Sequence, residues 1–288
     1  MSLTKRVIAR LDIKGPNLVK GIHLEGLRVL GKPEDFARYY YSQGAEELMY
    51  MDMVASLYER NSLEEIIRRT ASEVFIPLTV GGGLRTINDI RAVLLAGADK
   101  VSLNTAVIRN PELIRQASRY FGSSTIVVSI EAIKQSDGKY LAYVDNGREY
   151  TGVEVVSWAQ KIEELGAGEI VITSVDREGT GLGYDINLIQ KVSSAVSIPV
   201  VACGGGGSPE HVSSAIVEGG AEAVAVASML HYDYVSKNSM KGDFSNEGNT
   251  EFLKKKSSFA KIKPNSISSI KKEMIKNGIP TRCTRMEN

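Results

Sequence analysis

Short, mostly apolar runs alternate with amphipathic stretches along most of the chain. Runs bounded by Gly, Asp or Pro and apolar throughout are typical of parallel strands buried on both faces. Eight of them alternating with helices predict an α/β fold, a (β/α)8 barrel with its active site at the carboxyl ends of the strands. The predicted strands are Val7–Ile13, Glu47–Met53, Ile76–Val80, Lys100–Leu103, Thr125–Ile130, Glu169–Ser174, Pro199–Ala202 and Ala223–Ala227.

Between these runs, apolar residues recur at helical spacing. Thr86 and Ser208 stand at the starts of two such stretches and are good N-cap residues. The predicted helices are Pro33–Gln43, Ser62–Glu73, Thr86–Ala96, Pro111–Tyr120, Gly152–Leu165, Asn187–Val196, Ser208–Glu218 and Ser266–Asn277.

One segment departs from the alternation. Residues 232–263 are polar, rich in Lys, Ser, Asn and Gly, and carry no clear period, which predicts a polar insertion or flexible loop before the closing helix. A lid, a partner contact and a tolerated insertion are all open roles for it. We otherwise expect residues 1–288 to form one barrel domain, since 43% of them are hydrophobic.

The second half of the chain repeats the first. The stretch 76–83 (IPLTVGGG) returns as 198–206 (IPVVACGGG), with prolines 122 residues apart (199 − 77). A repeat of this length predicts two halves of one barrel. Glycine runs let backbone N–H groups approach an anion closely, so the pair predicts a substrate with two phosphates.

Two acidic residues occupy related places in the halves. Asp12 ends the first predicted strand and Glu131 ends the fifth, 119 residues later (131 − 12). Facing each other across a pocket, they are candidates for acid and base, whereas either alone could be a salt-bridge residue. Other candidates for the substrate site at the strand ends are Asp52, Gly83, Asn104, Thr105, Thr173, Glu178, Gly179, Gly205, Ala227 and Ser228.

Charged residues also mark the opposite ends of four strands, where they could form a ring at the bottom of the barrel. A ring at this face either stabilises the barrel or acts as a gate. Its members are Arg6, Glu47, Lys100 and Glu169.

The composition of the chain limits its possible binding partners and the cellular compartment in which we expect it. A net charge of +1 gives no nucleic-acid footprint, and no apolar run approaches the roughly 18 residues of a membrane span. The chain starts without a signal-peptide core and contains two cysteines, Cys203 and Cys283, which fits a reducing cytoplasm. We expect no metal or cofactor, and we expect Cys203 to be a small packed residue.

The chain resembles the HisF family, the cyclase subunit of imidazole glycerol phosphate synthase. The resemblance runs from about residue 5 to 231 and resumes at about 266 to 282. It is carried by Arg6–Lys20 (RVIARLDIKGPNLVK), Ala98–Thr105 (ADKVSLNT), Gly166–Thr180 (GAGEIVITSVDREGT) and both glycine runs. The second and third stretches distinguish the chain from the sister isomerase of histidine biosynthesis.

The resemblance implies a glutaminase partner (HisH-like) at the N-terminal face, which supplies ammonia through the charged ring to the top of the barrel. There ammonia would convert a ribulosyl aminoimidazole-carboxamide ribotide with two phosphates into imidazole glycerol phosphate and aminoimidazole carboxamide ribotide. Asp12 matches the first catalytic carboxylate, and Lys20, on the loop after strand one, matches a substrate-binding residue. One phosphate site matches Gly83, Asn104 and Thr105, and the other Gly179, Gly205, Ala227 and Ser228.

The chain departs from the family pattern near the substrate. Glu131 replaces the second catalytic aspartate, and its extra methylene moves the carboxyl group by about 1.5 Å. Arg10 replaces a common cysteine and lies on the same side of its strand as Asp12, where it could pair with a carboxylate or constrict the ammonia path. Glu178 replaces an aspartate.

These departures leave three functions open. The first is the cyclase reaction of histidine biosynthesis. The second is that of a HisF-like paralogue that channels ammonia for amidination of an acetamido sugar in surface polysaccharide synthesis. The third is a scaffold that only activates its glutaminase.

Overall fold

A closed barrel of eight parallel strands forms the centre of the protein, in a computed structural model that describes residues 3–55, 63–238 and 261–282. Each strand pairs in parallel with the next, and the last pairs with the first, as the sequence predicts. The barrel strands are β1 (Arg6–Lys14), β4 (Glu47–Asp52), β5 (Leu78–Gly81), β6 (Lys100–Leu103), β7 (Ile126–Lys134), β10 (Glu169–Ser174), β11 (Val200–Cys203) and β12 (Ala223–Val226).

Helices surround the barrel and pack their apolar faces on it. All eight predicted helices are present, with ends that differ by a few residues. The helices are α1 (Pro33–Ser42), α2 (Glu64–Ala71), α3 (Ile87–Ala96), α4 (Thr105–Arg109), α5 (Glu112–Phe121), α6 (Val155–Glu164), α7 (Ile186–Ser193), α8 (Pro209–Val217), α9 (Ser228–Lys237) and α10 (Ile267–Lys276), with a short 3₁₀ turn at Ser123–Thr125. No helix in these ranges is long and apolar enough to span a membrane.

Helix α9 corrects the predicted start of the polar segment 232–263. The helix continues to Lys237, and Tyr232 and Val235 are buried in it. Because most of α9 is buried, its sequence lacks the apolar stripe that marks an amphipathic helix. At the other end, Ile262 is buried and the Lys263 N–H donates to the Gly207 carbonyl, 2.9 Å away. The prediction for residues 239–260 lies outside the described residues.

Two β-hairpins that the sequence reading did not predict extend the barrel at its carboxyl end. Hairpin 1 consists of β2 (Asn17–Ile22) and β3 (Glu25–Gly31) and pairs antiparallel with the end of β1. Hairpin 2 consists of β8 (Tyr140–Val144) and β9 (Glu149–Glu154) and pairs in the same way with β7. Since β1 and β7 are the first and fifth barrel strands, each half of the repeat carries one hairpin at the same place.

The barrel interior is layered along its axis. Alternate residues of each strand point inward, so residues 6, 8, 10 and 12 of β1 line the interior at successive heights. A charged ring lies at the bottom, and the polar site lies at the top. Between them is an apolar layer that includes Ile8, Met49, Val127, Val171, Val201 and Ala223.

The start of α3 offers a test of local stability. The Thr86 side chain accepts from the Asp89 N–H, and the Asp89 carboxylate accepts from the Thr86 N–H, which makes a capping box. Replacing Thr86 with Ala should lower the free energy of unfolding by about 1 kcal/mol, measured by urea denaturation. Ser208 is the N-cap of α8, but its side chain makes no cap hydrogen bond there. Ser208→Ala should therefore lower the free energy of unfolding by less than Thr86→Ala does. Equal losses of stability in the two variants would contradict this interpretation.

Candidate active site at the two ends of the barrel

The four charged residues predicted at the bottom of the barrel form a closed ring. Arg6 Nη1 lies 2.8 Å from Glu47 Oε2, and its Nη2 bonds Glu169. Lys100 Nζ completes the ring at 3.0 Å from Glu47 and 3.1 Å from Glu169. Thr79 Oγ1 donates a further bond to Glu47 at 2.6 Å. Two cations and two anions make the ring neutral, so the buried carboxylates are fully paired.

A second neutral group of four charges is buried at the top. Arg10 Nε donates to Asp12 Oδ1 at 2.8 Å, because alternate residues of β1 point the same way. Lys20 Nζ lies 3.5 Å from Asp12 Oδ2 and 2.5 Å from Glu178 Oε1. We call these residues, Arg10, Asp12, Lys20 and Glu178, the mouth charges. All four are buried.

The position of Lys20 corrects the sequence prediction. Lys20 was expected on a loop after the first strand, but it lies on β2 and is 2% exposed. Hairpin 1 folds over the barrel mouth, and its Val19, Leu24 and Val29 pack with Met53 and Val175. Asp12 pairs with Val19 of hairpin 1 in the sheet, and its side chain is buried. In this conformation Lys20 is therefore an internal partner of two carboxylates.

The mouth charges hold Asp12 ionised. Burial alone would raise the pKa of Asp12, but the positive charges of Arg10 and Lys20 outweigh it and lower that pKa below its ordinary value. His231, buried on α9, adds no charge here, because burial and the charge of Lys20 lower its pKa to about 3. Its Nδ1 bonds the Tyr40 hydroxyl at 2.6 Å.

Glu131 has the opposite environment. Its side chain is half-buried in the carboxyl-terminal half of β7 and accepts a bond from the Gly147 N–H at 2.8 Å. Burial raises the pKa of Glu131 to about 7, although the bonds from Gly147 and Asn104 and the charge of Arg10 pull it down. A carboxylate and a carboxyl group that titrates near neutrality are an arrangement suited to acid–base catalysis.

Two pockets open at the top, one on each side of Arg10. The first has a volume of about 270 Å³ and holds Glu131 together with the predicted residues Asp52, Gly83, Asn104 and Thr105. The second is about 20 Å³ and holds the predicted residues Glu178, Gly179, Gly205, Ala227 and Ser228. Arg10 lines both, whereas Asp12 and Lys20 lie beneath them and line neither.

Glycine is required at the second pocket. Gly205 has φ +105°, and a Cβ there would come within 2.2 Å of the Gly183 carbonyl oxygen. Ala227 and Ser228 lie where α9 begins, so backbone N–H groups face the pocket.

Of the predicted substrate-site residues, Thr173 lies outside both pockets, and Asp52, which lines the first pocket, also has a structural role. Thr173 is buried on β10 beside Glu131 in the sheet and lines neither pocket. Asp52 accepts from the Val54 and Ala55 N–H groups, each at 3.0 Å, and so shapes the turn after β4.

The sequence reading missed several residues of the first pocket. Arg85, Ser102, Arg109 and Asn146 line it. Arg85 follows the first glycine run and Arg109 follows Asn104 and Thr105, so proximity to the predicted phosphate residues could have identified both. Asn146 had no such signal, because it reaches the pocket on hairpin 2. Among the described residues, no cluster of His, Cys, Asp or Glu is arranged to hold a metal ion.

The pKa of Glu131 can be measured directly. With ¹³C-labelled glutamate, one carboxyl resonance should titrate near pH 7, far above an ordinary glutamate, because burial disfavours the charged form. Glu131→Gln should remove that resonance and leave the others in place. A wild-type spectrum in which every glutamate titrates near pH 4.5 would contradict the assignment.

Comparison with known proteins identifies the family. A family model described as "Histidine biosynthesis protein" matches residues 6–236. The Legionella pneumophila protein "Imidazole glycerol phosphate synthase subunit HisF" is 58% identical over 205 residues, which cover 71% of this chain and 97% of that protein. Proteins of the same name from Methanocaldococcus jannaschii and Alkaliphilus metalliredigens are 47% and 45% identical, over 80% and 81% of this chain and 92% and 93% of their own. The chain therefore belongs to the histidine biosynthesis family and, within it, to the HisF subunits of imidazole glycerol phosphate synthase.

Proposed function

We propose that the chain is the cyclase subunit of imidazole glycerol phosphate synthase. It uses ammonia to convert the ribulosyl ribotide with two phosphates into imidazole glycerol phosphate and aminoimidazole carboxamide ribotide. The observation that carries this proposal is the pair of pockets on either side of Arg10, which is paired with the buried Asp12 carboxylate. Each pocket offers uncharged donors suited to a phosphate, and the centre offers Asp12 and Glu131 in different ionisation states.

The two carboxyl groups suggest a division of roles. In the first step, ammonia nitrogen forms a bond to the ketone carbon of the ribulosyl group and loses two protons to become an imine nitrogen, while the carbonyl oxygen gains two protons and leaves as water. One proton passes directly from the nitrogen to the oxygen, and the two carboxyl groups handle the other. Protonated Glu131 donates a proton to that oxygen, and ionised Asp12 accepts a proton from the nitrogen. Because Asp12 is covered, hairpin 1 must move for a substrate to span both pockets, and Lys20 then becomes available to the substrate.

We infer that a glutaminase subunit binds the N-terminal face of the barrel. Leu3 and Phe75 precede the starts of β1 and β5 at this face and are 82% and 75% exposed. Phe75 contacts the ring of Tyr41, at the end of α1, with centroids 6.3 Å apart. Large exposed apolar side chains next to the charged ring favour a protein interface through which ammonia enters.

The cyclase reaction is the first test. Purified protein with ammonium salt should consume the ribulosyl ribotide and form imidazole glycerol phosphate, followed by the loss of substrate absorbance. Asp12→Asn should lower kcat on the order of 10²–10⁴-fold, since it removes the proton acceptor but keeps the size of the side chain. Asp137→Asn, at the exposed turn between β7 and β8, is the control and should retain wild-type kcat.

The paralogue that serves sugar amidination is a second candidate, favoured by one observation. Arg10 lies between the pockets and binds Asp12, at a position where the family resemblance implies a cysteine. If wild type is inactive with the ribotide while the double variant Arg10→Cys, Glu131→Asp turns it over, the paralogue is the better assignment. Inactivity of both would favour the scaffold role.

The charged ring gives a separate prediction. Glu47→Gln removes the charge that Arg6 and Lys100 share, and so opens the ring. With the glutaminase bound, glutamine-dependent turnover should fall roughly tenfold. A mutation between two coupled sites typically changes the coupling free energy by about 0.5–2 kcal/mol. Turnover with ammonium salt should stay within about twofold, because that ammonia does not need the gate. Lys161→Gln, an exposed charge on α6, is the control, and a parallel fall in both activities of Glu47→Gln would contradict the gate role.

A further inference from the structure

The turns of the two hairpins are related by the internal repeat. His23 and Leu24 have φ of +51° and +62°, and Asp145 and Asn146 have φ of +52° and +62°. The two pairs are 122 residues apart (145 − 23), the same offset that relates the glycine runs. In hairpin 1, His23 and Leu24 form the whole loop, and left-handed backbone at both is the type I′ geometry. In hairpin 2 the loop has four residues, 145–148, and Gly147 is left-handed as well. The hairpins therefore share a left-handed pair at equivalent positions, although their loop lengths and sequences differ.

Each turn bonds a backbone carbonyl in the opposite half of the barrel. His23 Nδ1 donates to the Val175 carbonyl at 2.7 Å, just after β10. Asn146 Nδ2 donates to the Met53 carbonyl at 2.8 Å, just after β4. Met53 and Val175 are themselves 122 residues apart (175 − 53), so both hairpins are fastened at equivalent points.

In hairpin 2 the fastened turn itself contacts a proposed catalytic carboxyl group, whereas hairpin 1 contacts Asp12 through Lys20 on its strand. Gly147 follows Asn146 directly, and its N–H donates to Glu131 Oε2 at 2.8 Å. Gly147 has φ +76°, and a Cβ there would come within 3.0 Å of Val175. A side chain at this position would push the N–H away from Glu131.

We propose that Asn146 is a positioning residue, which fixes the hairpin 2 turn on Met53 so that the Gly147 N–H orients the Glu131 carboxyl group. Asp145 strengthens the attachment through contacts of 3.4 Å with Thr105 Oγ1 and with Arg109 Nη2. The turn thus joins three parts of the first pocket: the ends of β4 and β7 and the start of α4. This assignment rests on the proposed function for its kinetic part only.

The position of Glu131 matters because the glutamate side chain is longer than the family's aspartate. Its additional rotatable bond would let the carboxyl group move within the pocket, and misplacement of about 1 Å can cost on the order of a hundredfold in rate. A backbone donor on a fastened turn removes that freedom. The titratable and charged groups that face Glu131 are Arg10 from β1, Asp145 from the turn, and Asp52, Arg85 and Arg109 around the pocket.

The test uses Asn146→Gly, which keeps the left-handed backbone and removes the side-chain donor without adding charge. We expect kcat to fall about tenfold while KM changes less than about twofold, because substrate still meets both phosphate sites. The hydrogen bond from the Gly147 N–H lowers the pKa of Glu131. Its loss should therefore raise that pKa and move the Glu131 titration in the ¹³C spectrum to higher pH.

Gly147→Ala is the second variant and should shift the titration in the same direction, since its Cβ displaces the N–H. His23→Gly is the matched control, since it releases the equivalent bond of hairpin 1 and should leave the Glu131 titration unchanged. Wild-type kcat and an unmoved titration in folded Asn146→Gly would overturn the proposal. If wild type does not turn over the ribotide, the proposed function fails, and the titration still decides the role of Asn146.

Discussion

The ion pair between Arg10 and Asp12 determines the state of the barrel mouth. Asp12 is buried, and an isolated buried carboxylate would take up a proton. Arg10 prevents this from within the same strand, and Lys20 adds a second positive charge from hairpin 1. Glu178 then balances Lys20. The carboxylate, the hairpin that covers it and the loop after β10 are therefore held together by one set of charges.

The same principle governs the other end of the barrel. Arg6 and Lys100 pair with two buried glutamates in a ring that carries no net charge. Two neutral groups of four charges thus enclose an apolar interior layer. Removing one member of such a group leaves a buried charge uncompensated, which costs far more than the pair contributes. This explains how a barrel can hold eight buried or partly buried charges and still be stable.

The two halves of the chain have kept their backbone and changed their side chains. Both carry a hairpin after the first strand of the half, with a left-handed pair in the turn and an equivalent docking point. In the first half the hairpin supplies Lys20, a positive charge that keeps Asp12 ionised. In the second half it supplies only the Gly147 N–H, so Glu131 is free to take up a proton near neutral pH. The two halves thus share a frame, and their different hairpins surround two carboxyl groups whose pKa values are shifted in opposite directions.

The sequence by itself determined the barrel, the order of its strands, the two glycine runs and the residues of the charged ring. These follow from local periodicity and from an internal repeat, both of which can be recognised without knowing any contact. Helix α9 escaped recognition because burial on most of its surface removes the amphipathic pattern. The hairpins escaped it because their strands pair only at the barrel mouth.

Only the tertiary structure decided the surroundings of the proposed catalytic groups. Lys20 meets Glu178 across 158 residues of sequence, and Asn146 meets Met53 across 93. Such contacts depend on where a hairpin lies over the barrel, which no local pattern encodes. The sequence therefore identified Asp12 and Glu131 as candidates, whereas distant parts of the chain determine how far each is buried and how each ionises.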